Sequence, residues 1–266
     1  MRRGGLLWGF LLLMAGVLFL LDNLGFLPVS AMSLFFPTVL ILIGLWFLVS
    51  PLLFRDTVVT RTLAIPTEGT TEAEIKIRHG AGSIKVQSSA GSGNVLEGTF
   101  SGAVDETIDR KGSKTGIKLR VPEFEWWGFP SAAGGEGINW DISLNKSIAY
   151  ALNVNTGASK NLFDLRDLII TEIRMESGGN DTEVWMPAQA GFTRGEFHFG
   201  SARLELHIPE NVAAQIKIDG ALLDTNDIDQ SRFPKFGEMY SSPDYASAAN
   251  KVEIHVEAGV GKLVIH

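Results

Sequence analysis

Residues 75–86 read IKIRHGAGSIKV, and the fold turns on how that stretch is taken. On either side of His79-Gly80-Ala81-Gly82, apolar and polar residues alternate, the period of a strand with one buried and one wet face. The glycines between supply a corner, because glycine takes positive φ and lets another backbone come close. The phrase predicts strand, small-residue corner, strand. It returns as AGVGKLVI at 258–265, with shorter copies at Thr156-Gly157-Ala158-Ser159, Ser177-Gly178-Gly179-Asn180 and Phe199-Gly200-Ser201-Ala202. The central glycines fall at 157, 178 and 200, spaced 21 and 22 residues apart. A strand–corner–strand unit at that period predicts stacked rungs.

Outward from these copies, alternation continues in IKLRV (117–121), RLELHI (203–208), QIKI (215–218) and KVEIHV (251–256). No stretch after residue 60 sustains helical periodicity, so residues 56–266 read as one all-β part, a β-solenoid-like stack of short strands. A β-sandwich with glycine turns is the alternative architecture. Two stretches interrupt the repeat, one near 122–137, rich in Pro and Gly, and one near 229–250, with Pro234, Pro243, Phe233, Phe236, Tyr240 and Tyr245, and both read as loop insertions. The first carries Phe124, Trp126, Trp127 and Phe129, the candidate interaction surface: a partner anchor, an interfacial membrane contact or, structurally, a cap over an open strand edge.

The N-terminal part is chemically different. Residues 1–55 hold only Arg2, Arg3, Asp22 and Arg55 as charges, a net of +2, so the chain's net −7 leaves −9 for the rest. Leu6–Leu21 and Leu34–Phe54 are uncharged apolar runs of 16 and 21 residues. They predict a two-helix transmembrane hairpin, with spans at about 5–22 and 34–54, and hence a membrane-anchored protein. The loop between them lacks Lys and Arg, whereas Arg2, Arg3, Arg55 and Arg61 flank the pair, so both termini are expected in the cytoplasm. The expected partner of this segment is the lipid bilayer.

Composition also excludes functions. Without cysteine there is no disulfide frame, thiolate nucleophile or Cys-ligated metal. The acidic balance argues against nucleic acid, which calls for a Lys/Arg surplus. The histidines, His79, His198, His207, His255 and His266, form neither HExxH nor a partner set for a GxSxG nucleophile. Strand imidazoles such as His207 and His255 read as solvent-facing. Asp224, Asn226, Asp227 and Asp229 lack the glycine and distal Glu of a calcium loop, and read as turn carboxylates. Glu123 and Glu125, two apart beside the Trp pair, are the only paired carboxylates with an enzymatic reading. The expectation is a non-enzyme with no cofactor, no metal and no catalytic residues.

The hairpin, with Gly9, Gly16, Asn23-Leu24-Gly25, Pro37 and Ile43-Gly44-Leu45, resembles the membrane segment of LiaI/LiaF-like proteins. The acidic part, through residues 75–86 and the later Gly-x-Gly copies, is similar to the toastrack-type β domain of bacterial membrane proteins. That resemblance implies a bacterial cell-membrane accessory sensor or scaffold in the envelope stress response. Its partners would be a membrane histidine kinase of a two-component system, another envelope-stress protein, or a second copy through self-association. The alternative is an envelope-contacting, adhesin-like β module.

Overall fold

The computed structural model describes residues 3–25, 31–53, 60–102, 104–122, 138–220 and 222–266. Two helices come first, α1 (Arg3–Asn23) and α2 (Ala31–Leu53). Fourteen strands follow among the described residues: β1 (Thr60–Pro66), β2 (Glu72–Gln87), β3 (Asn94–Ser101), β4 (Asp105–Lys111), β5 (Lys114–Arg120), β6 (Ile138–Leu144), β7 (Ala149–Asp164), β8 (Ile169–Trp185), β9 (Phe192–His207), β10 (Ala213–Asp219), β11 (Leu222–Ile228), β12 (Lys235–Phe236), β13 (Met239–Ser241) and β14 (Lys251–Ile265). The strands form one sheet, and the β unit comprises Val59–Pro122 and Gly137–His266.

Among the described residues, no helix is long and apolar enough to cross a membrane. That corrects the expected spans at 5–22 and 34–54, and with them the multi-pass localisation with cytoplasmic termini. A span needs about 20 consecutive apolar residues.

The rungs are parallel. Strands β2, β7, β8, β9 and β14 lie side by side in that order, each 15 to 17 residues long. An antiparallel sandwich cannot be built from such neighbours, so the stacked reading holds. Each long strand bends halfway. Its burial alternates, breaks at the glycine, then alternates again, as in β2 with two consecutive exposed residues at Gly80 and Ala81. One-sided alternation before and after the bend turns both halves towards a common interior.

Register aligns the buried residues into rows. Ile75, Leu152 and Ile173 form one; Ile77, Val154, Met175, Phe197 and Val256 form the next; Phe163, Val184, Leu206 and Ile265 run beyond the bend. All are essentially sealed from solvent. Each such side chain contributes roughly 1.5–3 kcal/mol by leaving water. Gly195 interrupts the first row, and the Phe197 ring fills the space, 3.0 Å from where a Cβ would stand. One polar row crosses the core, where Asn161 donates to Thr182 Oγ1 (2.9 Å) and Ser159 Oγ (3.0 Å).

Neither end of the stack is left bare. The first half of β2 pairs with β5, and its second half with β6. At the far end β14 divides in the same way, pairing with β10 before the bend and β11 after it. The 229–250 insertion contributes β12 and β13, which extend β10, and it buries Phe233 and Tyr240. It is thus partly strand, where the sequence reads as loop.

Candidate functional site

The bend itself makes the first site. Gly157, Gly178, Gly200 and Gly259 stand on successive rungs after Gly80. A Cβ at each would lie 2.6, 3.2, 2.7 and 2.8 Å from the carbonyl oxygen of the preceding glycine in that column. The column exists because only glycine lets backbone pass backbone so closely. Beside it, between β9, β10 and β14, opens a cleft of about 490 Å³ lined by His198, Gly200, Asp219, Gly220, Glu257 and Gly259. Register sets Asp219 beside Glu257 and His198 on Glu257's other side. Lys217 and His255 each meet Asp219 Oδ2 at 2.7 Å. Those hydrogen bonds, Lys217 first, hold the Asp219 carboxyl below the usual carboxylate range. His198 Nδ1 meets Glu257 Oε2 at 3.1 Å.

The second site runs down the outer surface beyond the bend. The Arg166 guanidinium lies 4.6 Å from the Trp185 ring centre. Trp185 stacks on His207 at 3.9 Å and 9°, and His207 stacks on His266 at 5.0 Å and 16°. Register produces this, since Trp185 pairs with His207 and Ile265, next to His266, pairs with Leu206. Arg166 is anchored by two bonds to Asp164, at 2.8 and 2.7 Å, and that pairing lowers the Asp164 pKa.

Two carboxylates flank the imidazoles, Glu183 and Glu205, themselves register neighbours. Trp185 Nε1 donates to Glu183 Oε1 (2.7 Å). Glu205 Oε1 lies 3.3 Å from His207 Nε2 and 3.4 Å from His266 Nε2. Burial pushes the His207 pKa down, against an upward pull from Glu205, so the ring is held towards its neutral form.

The candidate residues read from sequence are placed unevenly. Phe124, Trp126, Trp127 and Phe129 lie outside the described residues, as do Glu123 and Glu125. The Asp224–Asp229 segment is used as turn and ion-pair chemistry: Asp224 accepts from the Asn226 amide (3.1 Å), Asp227 pairs with Lys262, and Asp229 accepts from the Ser231 amide (3.0 Å). His207 is less exposed than a solvent-facing strand residue, with 17% of its side chain accessible. The sequence signal for the stacked column was present: Glu183 to Glu205 and Trp185 to His207 repeat at 22 residues, the same step as Gly178 to Gly200.

Residues 54–207, more than half of the chain, match the family model described as the N-terminal domain of toast_rack, DUF2154. Among solved structures, a Clostridium sporogenes protein with a provisional cell-adhesion name superposes with a TM-score of 0.70. It is 16% identical, over 79% of this chain and 99% of that one, and shows a shared fold. A Bacteroides fragilis protein with a provisional adhesin name is 8% identical over 80% of this chain and 98% of its own. Its TM-score of 0.26 is too low to carry an argument. No curated protein matches the sequence.

Proposed function

The chain belongs to the toast-rack N-terminal domain family, and on that premise we propose that it is a non-enzymatic, adhesin-like binding module that contacts saccharide-bearing polymer of the cell envelope. The observation that carries this reading is the column Arg166–Trp185–His207–His266, stacked across successive rungs with Arg166 and His266 exposed and Trp185 and His207 half-buried. Stacked face to face, the rings turn their edges outward at rung spacing, and the flanking carboxylates and guanidinium offer hydrogen bonds to hydroxyls repeated along a saccharide chain. Such a surface binds by extent and needs no reacting group.

The test is co-sedimentation of the purified full-length chain with isolated cell-wall sacculi. The native chain is expected in the pellet, and Trp185→Ala largely in the supernatant with an unchanged far-ultraviolet spectrum. A native chain that stays in solution would sink the idea.

A second reading is favoured by the likeness of residues 75–86 to the toastrack-type β domain of bacterial membrane proteins: an accessory sensor or scaffold working through a histidine kinase in envelope stress. Deleting the gene should then alter the transcriptional response to wall-active compounds. An unchanged response removes that role.

A further inference from the structure

We propose that Glu205, His207 and His266 form a binding site for one divalent transition ion of the zinc class. One ligand atom from each lies within 4.8 Å of the others. Two of the separations are tighter, 3.3 Å from Glu205 Oε1 to His207 Nε2 and 3.4 Å to His266 Nε2. A tetrahedral ion with bonds of about 2.0–2.2 Å holds its donors about 3.3–3.6 Å apart, so two edges of the coordination polyhedron already have the required length. The third closes by adjustment of His266, whose side chain is 55% exposed.

Two independent observations point to a missing cation. His207 Nε2 is buried without a hydrogen-bond partner, although it faces Glu205 and, at 3.6 Å, Glu183 Oε1. Leaving a buried nitrogen unpaired is costly, whereas a metal takes its lone pair directly. Glu183 and Glu205 are also register neighbours, and like charges set opposite each other on adjacent strands repel. A divalent ion between Glu205 and the imidazoles would offset that repulsion.

The surroundings orient the set. Arg203 approaches Glu205 Oε2 at 3.7 Å, leaving Oε1 turned to the imidazoles, and stacking on Trp185 fixes the plane of His207. Two imidazoles with one carboxylate and no thiolate select zinc, nickel or copper over magnesium or calcium, which prefer all-oxygen shells. Glu183 Oε1 is occupied by Trp185 Nε1–H, so Glu183 serves as an outer carboxylate and the fourth position is open.

The experiment uses the untagged full-length chain, stripped with chelator and titrated with Co²⁺. One Co²⁺ per chain is expected, with the visible absorption of a four-coordinate ion, displaced by Zn²⁺. Glu205→Gln, His207→Gln and His266→Ala should each weaken binding by roughly tenfold or more. Zn²⁺ should also raise the melting temperature of the native chain more than that of the variants. Should His207→Gln fail to fold, the exposed His266→Ala decides. Absence of Co²⁺ binding, or affinity unchanged in Glu205→Gln and His266→Ala, overturns the site. Polymer binding is scored separately, in chelator, so the two proposals fail independently.

Discussion

At Gly200 the cost of a single methyl group can be read from a distance. An added Cβ would sit 2.7 Å from the Gly178 carbonyl oxygen, and Gly178 is held between Ser177 and Gly179, each paired with the strands on both sides. Gly200→Ala should destabilise by about 1–3 kcal/mol, the usual cost of overpacking. Gly80→Ala, with nothing within 4 Å of its Cβ, should cost far less. Urea unfolding of the two variants checks the contrast, and equal losses would refute it. His79 offers a second test. It is 4% exposed, its Nε2–H donates to the Ile138 carbonyl (3.0 Å), and its buried Nδ1 has no acceptor for a second proton. Burial lowers its pKa from the ordinary 6.5. The stability this gives is fully present above about pH 6.5 and is lost as pH falls towards the folded-state pKa, because the unfolded chain takes the proton first. His79→Gln should therefore flatten the acid side of the stability profile measured by thermal melts. The glycine column was legible from spacing alone. The His79 contact was not, since it depends on Ile138 arriving beside Gly82, more than fifty positions away in sequence.

Among elements, the bent strands were visible as alternation broken by glycine, but their direction was not. Buried and exposed residues alternate alike in parallel and antiparallel strands, so the pattern near 75–86 leaves the partner's orientation open. The connections hold the missing clue. Leu165 and Leu168 are both buried at a tight turn, closed by the Leu168 amide on the Leu165 carbonyl (2.9 Å), and Val212 closes on Pro209 in the same way (3.0 Å). Strands β7, β8 and β9 are paired along both sides, whereas β1, β4, β11 and β12 each pair along one. Amide exchange should be slowest in the first group, approaching the rate set by global unfolding, and fastest in the second. Mass-spectrometric exchange that protects β11 as strongly as β8 would contradict this assignment.

Across the whole molecule, the sequence separates an apolar N-terminal segment from an acidic β part, and the family match covers residues 54–207 of the latter. The membrane localisation did not survive, because no helix among the described residues is long and apolar enough to cross a membrane. The two proposed binding sites went unread for a different reason: each is assembled across rungs, Trp185 and His207 standing 22 positions apart and His207 and His266 59 apart, and belongs to no linear motif. Such assembly has a kinetic cost. Ile75 pairs with Leu152, 77 residues along the chain. Refolding from urea, followed by tryptophan fluorescence, should be slow, on the order of milliseconds to seconds or longer. A sub-millisecond major phase would mean that local contacts dominate. The division of β2 and β14 between two neighbours each has one more consequence. Both outer rungs act as terminators, while the interior rungs repeat a single 21- or 22-residue unit. The stack is in effect a ruler graduated in whole units: relatives that gain or lose one unit can keep both terminators, and their reach changes by about 4.8 Å each time.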